Sequence, residues 1–180
     1  AVGKKSEDGE LRLNALTSGG DKQILKYELG QKIDPKGFGD ELRGIAAYNG
    51  LLVASLHLRK QLLLVDTAKG TVLGTVDLPE APAGVVFDSQ GRLLVLEGKT
   101  LKRYASVADP SKFPKPETLI GSGLEEPWGL TLDGKGQIYI SDLGNSHQVK
   151  VYSAEGKPLR TIGKPGAPQA GPYDPNHMNN

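Results

Sequence analysis

The chain has 180 residues, and its 22 basic and 21 acidic side chains leave a formal charge of +1, so no global field draws in nucleic acid or an acidic membrane surface. The absence of cysteine excludes disulfides, thiolate metal sites, cysteine nucleophiles and covalent haem attachment through paired cysteines. No apolar run approaches the roughly 20 residues that span a bilayer, and Ala1 to Gly9 lack a signal-peptide core, so a soluble chain is expected, with any targeting segment already removed.

The 24 glycines and 12 prolines fall between short apolar alternations, where strand punctuation belongs. From the N-terminus, Gly9 to Leu16, Gln23 to Tyr27 and Gln31 to Ile33 read as strands two to four of a unit lacking its first strand, so residues 1–35 form an incomplete unit. Residues 41–78 hold a complete one. It runs Gly44 to Ala47, the Asn49-Gly50 turn typical of tight hairpins, Leu51 to Ser55, Gln61 to Val65, the Lys69-Gly70 turn, and Thr71 to Val76. Residues 81–121 repeat the plan with Gly84 to Phe87, Arg92 to Leu96, Leu101 to Tyr104 and Thr118 to Ile120. An insertion, Ser106 to Pro116, precedes the last of these strands, and its prolines suggest a stiff loop projecting near the outer edge.

Residues 124–163 are the clearest copy: Trp128 to Leu132, a glycine turn, Gln137 to Ser141, a loop from Asp142 to His147, Gln148 to Tyr152, and Pro158 to Ile162. Residues 164–180 read as a connector to a following unit. The lead glycines Gly44, Gly84 and Gly129 lie 40 and 45 residues apart. Four antiparallel strands recurring at this period predict an all-β fold, a β-propeller with about three and a half blades present. A single twisted sheet of a dozen strands is the rival, disfavoured by the short hairpins and regular glycines.

Pro127-Trp128-Gly129-Leu130 with Asp133, then Ile138 to Asp142, Gly144-Asn145, His147 to Tyr152 and Gly156 to Gly163, resembles an NHL repeat. The loop pattern is absent from the other copies, where Leu56 and Glu97 stand at the Asp142 position. The resemblance implies a ring of about six blades. This chain then holds part of a ring, to be completed by further blades of the same protein or by a second chain, since each unit buries its apolar face only against a neighbour. Frequent occurrence of cysteine-free propellers of this kind outside the cytoplasm implies a secreted or periplasmic location.

In an up-and-down sheet, the loops joining strands two and three share one face with the inter-blade connections. The opposite face carries only tight turns and the insertion. The first face therefore holds the candidate ligand-binding residues Arg43, Trp128, Glu126, His57 and Glu97, because recognition concentrates in loops on a rigid scaffold. Arg43 and Trp128 each precede a lead glycine, at the expected rim of the central channel. Each candidate also has a plain structural reading. Trp128 packs between blades, Arg43 pairs with a carboxylate, His147 caps a strand, and Asp142 with Asn145 stabilises a turn. Asp88 and Asp133 recur at one repeat position and read as turn residues.

Three functions are weighed. A non-catalytic binding scaffold for a protein, glycan or small ligand accords with the absence of a convergent catalytic set. A metal-dependent lactonase-like or lyase-like enzyme is implied by propeller relatives with metal sites at the channel mouth. Such a site needs donors from several blades, whereas Arg43, Ala83 and Trp128 are not usual ligands, so no cofactor is expected unless other blades supply a divalent metal. RNA binding, known in some animal relatives, is disfavoured because Arg43, Arg59, Lys60 and Lys99 share their face with Glu80, Glu97, Glu125 and Glu126.

Overall fold

The computed structural model describes residues 42–105, 107 and 109–166 in full, together with the backbone of three strands nearer the N-terminus. Those strands, β1 (Val2–Lys5), β2 (Glu10–Leu16) and β3 (Gln23–Lys32), form one antiparallel sheet in chain order. Here the structure departs from the residue pattern. Where Gln23 to Tyr27 and a second strand from Gln31 were expected, a single strand runs through to Lys32, because a lone Gly30 can be carried within a strand without turning it; Ile33 lies outside the described residues. An additional strand occupies Val2–Lys5. Residues 167–180, most of the expected connector, lie outside the described residues.

Three four-stranded antiparallel sheets follow, each ordered along the chain. The first contains β4 (Leu42–Tyr48), β5 (Leu51–Leu56), β6 (Gln61–Asp66) and β7 (Thr71–Asp77). The second contains β8 (Pro82–Phe87), β9 (Leu93–Glu97), β10 (Thr100–Tyr104) and β11 (Glu117–Ile120). The third contains β12 (Pro127–Leu132), β13 (Ile138–Asp142), β14 (Gln148–Tyr152) and β15 (Pro158–Ile162). The expected blades are thus present, and the chain is all-β with a partial propeller architecture. Local chemistry sets the hairpins. Asn49 (φ 45°) and Gly50 (φ 81°) adopt the left-handed pair of a two-residue hairpin turn, which puts Tyr48 directly opposite Leu51.

Alternation along each strand then divides the apolar residues between two faces. Val53, Leu62 and Leu64 from the first blade pack with Val85, Leu93 and Val95 from the second. On its other side the second blade presents Leu94, Leu96 and Leu101 to Ile138, Ile140 and Tyr152 of the third. Each such fully buried aliphatic side chain contributes about 1.5–3 kcal/mol, so the core lies between blades rather than within any one of them.

The lead glycines allow the blades to converge. A Cβ on Gly44 would lie 2.7 Å from the Ala83 carbonyl oxygen and 2.9 Å from the Val85 nitrogen. One on Gly84 would lie 2.7 Å from Leu130 Cβ and 2.8 Å from the Leu130 nitrogen. The innermost strands β4, β8 and β12 therefore sit against one another backbone to backbone, at a spacing no side chain fits.

The insertion does not project as its prolines suggested. Val107 is buried in the core between the first two blades, and the Phe113 ring packs on Tyr104 with centroids 4.9 Å apart. A short 3-10 turn, Pro110–Lys112, capped by Asp109, lies beside Gly74 of β7. Apolar groups at Val107 and Phe113 outweigh the stiffness of the prolines and draw the segment back over the cleft; Ser106 and Ala108 lie outside the described residues.

Replacing Gly84 with alanine should destabilise the protein by about 1–3 kcal/mol, because the new methyl meets backbone that cannot move aside. At Gly134, where an added Cβ meets nothing within 4 Å, the same change should stay within about 0.5 kcal/mol. Thermal and urea unfolding of the two variants checks the contrast.

Candidate functional site

The face carrying the inter-blade connections brings Arg43 and Trp128 together. Each immediately precedes the lead glycine of its inner strand, β4 and β12, and the Arg43 guanidinium carbon lies 3.9 Å from the Trp128 ring centroid. The two belong to the first and third blades, so their contact crosses the blade between them. At that strand the same repeat position is Ala83, buried and carrying only a methyl group. A guanidinium stacked on an indole is worth about 0.5–1 kcal/mol at an exposed site, and Trp128 remains 39% exposed. The contact places Trp128 against a side chain from another blade. Leu58, in the loop between β5 and β6 on this face, is also exposed. The sequence carried no signal for it beyond its place in a loop.

The remaining candidates are engaged elsewhere. His57 Nδ1 lies 2.9 Å from the Pro82 carbonyl oxygen, to which it donates as the Nδ1–H tautomer, tying its loop to the start of the next blade. Lys60 reinforces that seam. Its ammonium donates to the Pro79 carbonyl and pairs with Glu80 at 3.7 Å, while the Leu78 amide donates to the Lys60 carbonyl. The Glu126 amide donates to Asp142 at 2.7 Å, its carbonyl accepts from Leu143, and the residue is exposed.

Glu97 is buried at 2% exposure rather than displayed in the loop, and its Oε1 accepts a hydrogen bond from the Tyr104 hydroxyl. Pleat alternation explains this. Glu97 shares the face of Val95 and Leu93, which points into the core between the first two blades. Burial raises the pKa of its carboxyl, opposed by the Tyr104 hydrogen bond and by Lys102, and reinforced by Glu80. The Tyr104 hydroxyl is pushed up by burial and by Glu97 in turn.

The equivalent position of the third blade is Asp142, also buried. Its carboxylate does not close a turn with Asn145. It accepts from the Glu125 and Glu126 amides at 2.7 to 3.1 Å and pairs with Lys150 at 2.5 Å, whose ammonium also donates to the Gly123 carbonyl. The Asn145 amide instead donates to the Glu125 side chain. His147 caps nothing with its ring, whose Nδ1 is buried without a hydrogen-bond partner. Asp88 and Asp133 behave as turn residues should, each accepting from two amides of its own hairpin. Sequence reasoning missed Ser55 and Ser141, whose hydroxyls accept from the amides of Gly44 and Gly129 at 2.7 and 2.8 Å. The signal was present: a serine recurs at an otherwise apolar strand position facing the lead glycine.

Among the described residues, no three His, Asp or Glu side chains converge to hold a metal ion, and no helix is long and apolar enough to cross a membrane.

Comparison with known proteins supports the repeat and the fold. The NHL repeat family matches residues 124–152. No curated protein shows significant sequence similarity to the chain. Similar solved structures include an inactive H270A virginiamycin B lyase from Staphylococcus aureus with quinupristin, 16% identical at a TM-score of 0.62, covering 88% of this chain and 53% of the lyase. A glutaminyl cyclase from Myxococcus xanthus is 18% identical at a TM-score of 0.56, covering 86% of this chain and 62% of the cyclase. A gluconolactonase from Xanthomonas campestris is 22% identical at a TM-score of 0.56, covering 70% of this chain and 48% of the lactonase. The chain thus spans about half to three fifths of the length of these proteins.

Two expectations follow from the buried acids. The unfolded chain keeps the ordinary Glu97 value near 4.5, whereas burial raises the folded one. The stability this group contributes is complete below the ordinary value and is lost as pH rises through the elevated one. Glu97→Gln retains an acceptor for Tyr104 without the charge. Its melting temperature should gain on that of the wild type as pH rises from about 4 to about 8, as paired thermal scans will show. Asp142→Ala should cost about 3–5 kcal/mol in urea unfolding, because it strands the Lys150 ammonium and two connector amides.

Proposed function

We propose that this NHL-repeat propeller segment is a non-catalytic binding scaffold, which takes a protein, glycan or small ligand on its loop face and uses the Arg43–Trp128 stack as anchor. The stack carries the reading. It joins a cation and a half-exposed indole from two blades across a third, and these are the residue types on which binding energy concentrates. The chemistry suits a ligand with an anionic group for the guanidinium and a flat apolar face for the indole. Glu97 and His57, the groups that would serve as acid or base, are committed to Tyr104 and to the Pro82 carbonyl. The partners implied are that ligand and the further blades that would complete a ring, from the same protein or a second chain. The compartment we infer is secreted or periplasmic.

A second reading, a metal-dependent enzyme, is favoured by one observation: the similar structures include a lyase and a gluconolactonase. Against it, the rim residues Arg43, Ala83 and Trp128 offer a positive charge and no oxygen or imidazole donor, so they do not fit a cation. Its ligands would have to come from outside the described residues.

Trp128 is the single tryptophan, so its emission reports directly on the site. Titration with a uronate oligosaccharide and with a peptide bearing acidic side chains should give a saturable change, and Arg43→Ala should weaken it by at least about tenfold. Chelator-sensitive turnover of a lactone, undiminished in Trp128→Ala, would overturn the scaffold reading in favour of the enzyme.

A further inference from the structure

The second and third blades each carry an acid, a lysine and a tyrosine on the sheet face turned toward the preceding blade. The acid closes the second strand, as Glu97 or Asp142, and both are buried. The other two lie on the third strand. Lys102 pairs with Val95 and Tyr104 with Leu93 across β9 and β10, as Lys150 pairs with Ile140 and Tyr152 with Ile138 across β13 and β14. The connectors match as well. Pro82 lies opposite Glu97 and Pro127 opposite Asp142, while the Gly98 amide donates to the Ala81 carbonyl as the Leu143 amide does to that of Glu126.

Despite this correspondence the bonds differ. Asp142 accepts from the Glu125 and Glu126 amides and pairs with Lys150 at 2.5 Å. Glu97 instead takes the Tyr104 hydroxyl and acts on Lys102 only across space. Among the described residues, no hydrogen bond joins it to the amides of Glu80 and Ala81, the counterparts of Glu125 and Glu126. The extra methylene of glutamate lets its carboxyl reach the tyrosine.

The two arrangements suit different protonation states. One hydroxyl donor, on a face whose neighbours Leu93 and Val95 are apolar, accommodates a neutral carboxyl. A lysine and two amides accommodate a carboxylate, since a buried charge needs a counter-charge and further donors. Burial holds Glu97 toward its neutral form, against the pull of Tyr104 and Lys102 on β10 and with the help of Glu80 on the connector. Behind Glu80 stand two groups of the β5–β6 loop, Lys60, which pairs with it, and His57, which bonds to the Pro82 carbonyl. Val53, Leu62 and Leu64 of the first blade and Val107 of the insertion, packed on the same face, bring no titratable group.

We propose that Glu97 is a pH-operated switch with two seats: on losing its proton to solvent it leaves Tyr104 for Lys102 and the Glu80 and Ala81 amides, taking up the bonding already present at Asp142. The connector leading into β8 is then tied to the acid of the second blade, as the next connector is to that of the third. With Glu97 on Tyr104, that connector is held by His57, Lys60 and Gly98. The loop face thus gains a pH-selected tie at the start of the strand that lies between those of Arg43 and Trp128. The switch does not rest on the binding reading of that stack.

The test uses the full chain without ligand, followed by amide-detected NMR from about pH 4 to about pH 9. In the wild type, the Glu80 and Ala81 amides should move to hydrogen-bonded shifts with one shared midpoint, above the ordinary glutamate value of 4.5. Subtracting the same titration of Glu97→Gln removes any response of Glu80 and His57 themselves. Lys102→Met should move the midpoint to higher pH. Glu97→Asp, which copies Asp142, should keep both amides in the bonded state down to a lower pH than the wild type does. Wild-type shifts at these amides that match those of Glu97→Gln, or a midpoint indifferent to Lys102→Met, would overturn the proposal. So would loss of all native resonances at the Glu97 midpoint, the mark of a buried acid that unfolds the chain rather than changing seats.

Discussion

Neighbouring inner strands touch at Gly44 and Gly84 so closely that one added carbon on either would lie 2.7 Å from an atom of the next blade. That contact sets the spacing at which successive sheets converge, and the other features of the molecule answer to it. With the backbones this close at the centre, sheets that diverge outward enclose a wedge, which the aliphatic rows of each pair of facing blades must fill. Toward the circumference the wedge widens beyond the reach of strand side chains. The first cleft meets this with Val107 and Phe113 from an insertion; the second leaves a groove.

The same geometry explains why one repeat position takes three chemistries. Leu56, Glu97 and Asp142 end the second strand of their blades, and all three are buried. Leucine needs no partner there. Glu97 finds one in Tyr104 within its own blade. Asp142 gathers two connector amides and Lys150, so the third blade is closed on its loop face by a charged knot. Buried ionic groups give little net stability over an apolar filling, and what they hold here is the path of the chain between blades.

The candidate rim site depends equally on the blades being in register. Arg43 and Trp128 are 85 positions apart in the chain, yet they meet because both sit one residue before a lead glycine and because the intervening strand contributes only the methyl of Ala83. The candidate site thus occupies positions where the copies differ, on a frame supplied by positions where they agree.

In the three four-stranded sheets, strand number and order were legible in the sequence because they follow from local chemistry: period-two alternation, turn glycines and the asparagine-glycine pair. The likeness of Arg43 and Trp128 was legible too, since repeat position alone put each of them one residue before a lead glycine. The partners of buried polar groups were not. Nothing local distinguishes Glu97, turned into the core, from a loop carboxylate, because which face of a strand is covered depends on the next blade. Nor could the prolines of the insertion reveal that Val107 and Phe113 fold back against a cleft made by two sheets. By itself the sequence determined the repeating unit, through interactions a few residues in range. The tertiary structure alone decided which side chains meet across units, because those contacts exist only once the glycines have let the inner strands close.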